Sequence, residues 1–142
     1  MSLARLIYLS DSNEVITWKL VKDILSVAQE NNKLQNITGI LLSQGLHFLQ
    51  VLEGEELDIQ ELYTHIKNDR RHGNLQLLSC ESIDQRQFGE WSMKGVEFID
   101  FDKDKQKKIL DKYCQGGEDF YLPEDPQQCI QLINDFGLTR ST

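Results

Sequence analysis

Apolar and polar residues alternate through LARLIYLS (3–10), the two-residue period of a strand. Leu6, Tyr8 and Ser10 fall on one face and Arg5, Ile7 and Leu9 on the other. DSNEVI follows as a polar connection. Leu20, Val21, Ile24, Leu25 and Ala28 then recur at helical spacing, and Thr17 as cap and Asn31–Asn32 as end predict a helix over 17–32. ITGILLSQ (37–44) and HFLQVLEG (47–54) are apolar runs joined through Gly45, whose access to positive φ suits a tight hairpin. From Glu55 the period lengthens again. Ile59, Leu62, Tyr63 and Ile66 form one stripe, acids crowd the first turn, and Arg70, Arg71 and His72 supply positive charge at the end, so a second helix is expected to close near Gly73. LQLLSCESI (75–83) and Met93–Ile99 read as further strands. Residues 104–113 and 126–136 read as two short helices, the second with Asp125 as N-cap, Pro126 at its first position and Gly137 at its stop.

A βαββαββ order with right-handed crossovers predicts an α+β, ferredoxin-like sandwich with both helices on one face of the sheet. The first and third strands are expected to lie adjacent and parallel at its centre. Phe48, Gln50 and Leu52 then share a face, with Leu49 and Val51 pointing away. The far face, with Ile7, Leu9, Leu49 and Val51, is also apolar and needs a cover, which the two C-terminal helices can provide. Residues 1–100 are expected to form the main domain and 101–142 the cap.

Length and charge narrow the function. With 142 residues the chain has room for one core, and 39% apolar against 27% charged residues describes a packed globular protein. A net charge of −8, with the basic residues scattered among acids, argues against nucleic acid and anionic membranes as partners. The N-terminal apolar run is too short for a signal peptide, and no segment approaches the roughly 18 to 20 apolar residues of a membrane span, so a cytoplasmic protein is expected. Cys80, Cys114 and Cys129 are an odd number with no CxxC pair, which points to neither a disulfide framework nor a metal site. There is no GxSxG, no phosphate loop, and no cysteine or serine partner evident for His47, His65 or His72; the chain is not expected to be an enzyme.

What remains is a set of neutral amides and one phenol. Asn31 continues the stripe of Ile24 and Ala28, and Gln50 sits between apolar neighbours in a core strand. A buried amide left without partners costs roughly 1–3 kcal/mol, which a flat heteroaromatic ligand with carbonyls and ring nitrogens would offset. The cleft between the two helices, floored by Tyr8 and Gln50 and walled by Ile24 and Ile66, has a suitable shape. On spacing alone, Asn31–Asn32 reads first as a polar helix end and Tyr8 as a core tyrosine.

Taken in register, RLIYLS with Tyr8, NNxxxxITGIL from Asn31 to Leu41, FLQVLEGE with Gln50, the element of Asp69, Arg71 and His72, and the triplet from Trp91 to Met93 resemble the BLUF domain, a blue-light sensor that uses flavin. The match covers about residues 3–98 and is similar to the short, stand-alone PixD-like type. The resemblance implies a non-covalently held FAD, with Tyr8 as the photochemical donor and Gln50 bridging phenol and flavin. It also implies that Asn31 and Asn32 hold the pyrimidine edge, that Ile24, Ala28, Phe48, Leu52 and Ile66 lie around the ring, and that His65, Asp69, Arg71 and His72 lie toward the ligand's polar portion. Trp91 and Met93 would sense the Gln50 switch. Two positions depart from the pattern: Ala28 stands where members often have a hydroxyl, and His65 where close relatives have an arginine suited to a phosphate, so FMN or riboflavin are alternatives to FAD. The implied output is a contact with a separate effector protein such as a response regulator, in a homo-oligomer. A flavin-dependent redox enzyme and a ferredoxin-like ligand-binding module without photochemistry are the competing readings.

Overall fold

The computed structural model describes residues 2–12, 36–44, 47–68, 72–88, 94–97, 103–113 and 125–135. The elements are β1 (Leu3–Ser12), β2 (Thr38–Gln44), β3 (His47–Glu55), α1 (Glu56–Lys67), β4 (His72–Ser82), β5 (Lys94–Glu97), α2 (Lys103–Tyr113) and α3 (Pro126–Asp135). The helix expected over 17–32 lies outside the described residues.

The five strands form one sheet in the order β4-β1-β3-β2-β5, with β1 and β3 central as the sequence predicts. Their relative direction differs from the expectation. β1 and β3 run antiparallel, with Leu3 opposite Glu55 and Asp11 opposite His47. The hairpin is the reason: a crossover returns β2 parallel to β1, and the tight turn into β3 reverses the chain once more. Gln44 pairs with His47, so β2 and β3 form the antiparallel hairpin that the sequence predicts. Close approach inside it requires glycine at position 39, where a Cβ would stand 2.0 Å from the Val51 carbonyl oxygen. β5 adds to the edge by pairing parallel with β2, from Ile40–Lys94 to Ser43–Glu97.

The second boundary correction concerns α1. It stops at Lys67, with the Asn68 N–H donating to the His65 carbonyl at 3.2 Å, and β4 begins at His72, three residues earlier than expected. His72 is therefore the first residue of a strand, paired with Ser12, and not the end of a helix. Strand pairing wins over helix extension here because β1 runs two residues past Ser10 and offers β4 a longer ladder. The basic last turn consists of His65 and Lys67.

Alternation sorts the core into two layers. Ala4, Leu6, Tyr8, Ile37, Leu41, Phe48, Leu52 and Ile59 form one cluster, against which Leu62, Tyr63 and Ile66 of α1 pack. The other face gathers Ile7, Ile40, Leu42, Leu49, Val51 and Phe88, and α3 covers it with Cys129, Leu132 and Ile133. α3 starts as the sequence predicts: Asp125 Oδ2 accepts from the Gln128 N–H at 3.3 Å and the Asp125 carbonyl from the Cys129 N–H at 3.0 Å. None of the described helices is long and apolar enough to cross a membrane.

Candidate functional site: a phenol and a carboxamide on the central strands

Tyr8 and Gln50 stand directly opposite one another in the β1–β3 register. Both point to the α1 side of the sheet, and both are buried, at 0% and 5% exposure. The Tyr8 hydroxyl donates to Gln50 Oε1. Phe48 and Leu52 flank Gln50 on the same face of β3, fully buried, and Ile66 approaches from α1. A phenol and an amide are thus paired inside an apolar shell, where a hydrogen bond is electrostatically stronger than in water. The carboxamide has one acceptor end and one donor end, so rotating it by half a turn would exchange acceptance from the phenol for donation to it.

The remaining residues of the sequence expectation divide clearly. Ile24, Ala28, Asn31, Asn32, Asp69, Arg71, Trp91 and Met93 lie outside the described residues. His65 projects from the outer face of α1, with its side chain 74% exposed and Nε2 3.9 Å from Glu61 Oε1, and is not brought together with Tyr8 and Gln50. Among the described residues no group of histidines, cysteines and acids could hold a metal ion. Cys129 lies in the far-face core, where burial, with the Asp125 charge adding to it, pushes its thiol up to about 12, while Cys80 is exposed at the surface.

A charged cluster that the sequence reading missed lies on the opposite face of β3. Glu53 is fully buried, and its carboxylate accepts from Arg5 Nε at 2.9 Å, the Gln87 N–H at 2.9 Å and the Phe88 N–H at 2.6 Å. Arg86 donates to the Glu53 carbonyl at 2.8 Å, to Thr38 Oγ1 at 2.8 Å and to the Asn36 carbonyl at 2.7 Å. Gln87 Nε2 reaches Asn134 of α3 at 3.3 Å. The segment after β4 is thereby fastened to β3, three residues along the strand from Gln50 and beneath it. The available signal was parity, since Glu53 continues the series Leu49, Val51 and Arg5 shares a face with Ile7 and Leu9.

The family model for BLUF, sensors of blue-light using FAD, matches residues 3–94. The chain is a BLUF protein. It is 32% identical over 137 residues to the blue light- and temperature-regulated antirepressor BluF of Escherichia coli (strain K12), covering 96% of this chain and 33% of that relative. It therefore spans about a third of that relative's length. Among solved structures, BlsA in its photo-activated state superposes with a TM-score of 0.79 at 29% identity, over 99% of this chain and 98% of that one. The dark-state structure of BlrB gives 0.74 at 29% identity, over 93% and 95%. The antiparallel sheet matches these BLUF structures, and the cofactor named for the family, FAD, carries a flat heteroaromatic ring system. The residues present fit such a ring: a buried hydrogen-bonding pair on the floor, with Phe48, Leu52 and Ile66 as apolar surroundings. His65, turned to solvent, adds nothing to that fit.

Proposed function

We propose that this chain is a blue-light sensor in which the Tyr8–Gln50 pair is the switch and the output is a contact with a separate effector protein. The buried, directly opposed phenol and carboxamide carry this reading. When bound, the flavin supplies the visible absorption and accepts an electron from its surroundings. Tyr8 is the donor at hand: its hydroxyl can release a proton toward Gln50 Oε1 as the ring gives up charge, and take it back on recombination. Gln50 holds the record of the event, because its amide can return with donor and acceptor ends exchanged at no net chemical change. Burial excludes water that would scramble the pattern. A population shift of a few kcal/mol is enough for such a change to be read by a partner.

The relative BluF is named an antirepressor, which supports an output through another protein; a response regulator is the partner class we assign, in a homo-oligomeric sensor. Asn31, Asn32, Ile24 and Ala28 are assigned to the ring, Asp69, Arg71 and His72 to the ligand's polar end, and Trp91 and Met93 to reading the amide. Residues 101–142, α3 included, are assigned to the cap. The test is spectroscopic: the purified protein should be yellow and show a small, reversible red shift under blue light. Tyr8→Phe and Gln50→Leu should each abolish it. A shift that survives Tyr8→Phe refutes the phenol's role, survival of Gln50→Leu refutes the amide's, and bleaching by NADH would favour a redox enzyme.

A further inference from the structure

Tyr63 belongs to the apolar stripe of α1 and lies outside the Tyr8–Gln50 pair. Its ring packs on the ring of Tyr8, with centroids 5.4 Å apart and planes at 56°. This is the tilted arrangement in which the positive edge of one ring meets the negative face of another. Lys67, one turn further along α1, places Nζ 5.8 Å from the centroid of the same Tyr63 ring. Burial pushes the Tyr63 hydroxyl above its ordinary value, so this second phenol stays protonated and neutral.

We propose that Tyr63, steadied by Lys67, is a positioning residue that sets the ring plane of Tyr8 and so aims its hydroxyl proton at Gln50 Oε1. The inference rests on the reading of Tyr8 and Gln50 as the switch. The physical reason lies in how a phenol is built. Its oxygen sits on the axis about which the ring turns, so turning the ring does not move the oxygen. The O–H bond, however, prefers the ring plane, so the ring plane decides where the proton points. The second torsion of tyrosine is broad on its own, and a hydrogen bond weakens steeply as it bends. The backbone of β1 and the first side-chain torsion fix the oxygen, and the second torsion leaves the plane to the neighbours. Among the described residues, Tyr63 packs on Tyr8 with that tilted geometry, and it stands on α1, the helix beside the Tyr8–Gln50 pair.

The test uses the full protein as purified, in the dark, with tyrosine labelled at Cζ for NMR; the Tyr8 resonance is identified by its loss in Tyr8→Phe. Tyr63→Met keeps a long apolar side chain and removes the flat ring, whereas Tyr63→Phe keeps the ring and removes the hydroxyl. Tyr63→Met should move the Tyr8 resonance toward that of an exposed tyrosine. The aligned fraction, and with it the size of the light-induced shift, should fall by about two- to tenfold, the range an aromatic pair supplies. Tyr63→Phe should restore both. An unchanged Tyr8 resonance in Tyr63→Met, or a Tyr63→Phe variant as impaired as Tyr63→Met, overturns the proposal. A measurement on the unmutated protein guards against a variant that fails to fold: slow flipping of the Tyr8 ring supports the proposal, and fast flipping refutes it. If the reversible shift survives Tyr8→Phe, the reading of the switch fails, while the resonance and flipping data still decide whether Tyr63 orders Tyr8.

Discussion

Replacing Glu53 by alanine removes the acceptor at the centre of the cluster beneath Gln50. The change leaves the N–H groups of Gln87 and Phe88 without their carboxylate partner and takes the counter-charge from the Arg5 guanidinium, which keeps its bond to Gln87 Oε1 at 3.2 Å and its place 5.8 Å from the Phe88 ring centroid. Removing one member of a buried ion pair costs about 3–5 kcal/mol. The Arg5 side chain is 19% exposed, so water can reach the guanidinium, and the lower end, about 3 kcal/mol, is the figure expected. For a chain of this length that corresponds to a drop of about 10 °C in the thermal midpoint. Urea unfolding followed by far-UV circular dichroism would measure it. Arg5→Met should cost less, because both backbone donors still hold the carboxylate. A loss below about 1 kcal/mol for Glu53→Ala would refute the idea that the cluster fastens the segment after β4 to the sheet. So would a larger loss for Arg5→Met than for Glu53→Ala.

Two further outcomes follow from groups at the edges of the fold. The Asn74 side-chain N–H, at 3.0 Å, holds the Asp11 carboxyl below its ordinary value, with His47 at 2.7 Å adding to the effect against a smaller opposing cost of burial. A depressed carboxyl stabilises the fold at pH above its unfolded value of about 4 and loses that contribution as pH falls through the folded value, so Asp11→Asn should flatten the acid limb of a stability profile below about pH 4. An equally steep limb in the variant would contradict this. Cys129, buried with its thiol pushed up to about 12, should react with a thiol reagent only on unfolding, whereas Cys80 should react in the native state. The comparison is best made in a Cys114→Ser background, and native labelling of Cys129 would show that α3 does not hold against the sheet.

Much of this was legible in the sequence because the strand period is short and unforgiving. Alternation alone put Tyr8 with Leu6, and Gln50 with Phe48 and Leu52, on the helix side, and left Ile7, Leu49 and Val51 in need of a cover that α3 provides. Direction and register were not legible. Whether Tyr8 meets Gln50 or a neighbour two residues away depends on how two strands far apart in sequence slide and point, and local pattern carries no information on either. The end of α1 was misplaced because Arg70, Arg71 and His72 look like a favourable basic terminus, while the competing attraction, pairing of His72 with Ser12, comes from sixty residues away. Glu53 was missed for a similar reason: its partners Gln87 and Phe88 are 34 and 35 residues along the chain. Tyr63 was seen as an ordinary stripe residue, since helical spacing tells which side a ring faces and not which ring it meets.

β5 occupies four residues and, among the described residues, pairs only with β2, whereas β1, β3, β2 and β4 form a complete antiparallel set without it. Detaching it would break one short parallel ladder and leave the four-stranded remainder closed over its core. The sheet thus has one border that can come loose at low free energy, well below that of global unfolding. In hydrogen exchange the amides of Lys94–Glu97 would then report their own opening equilibrium, separate from the rest of the molecule.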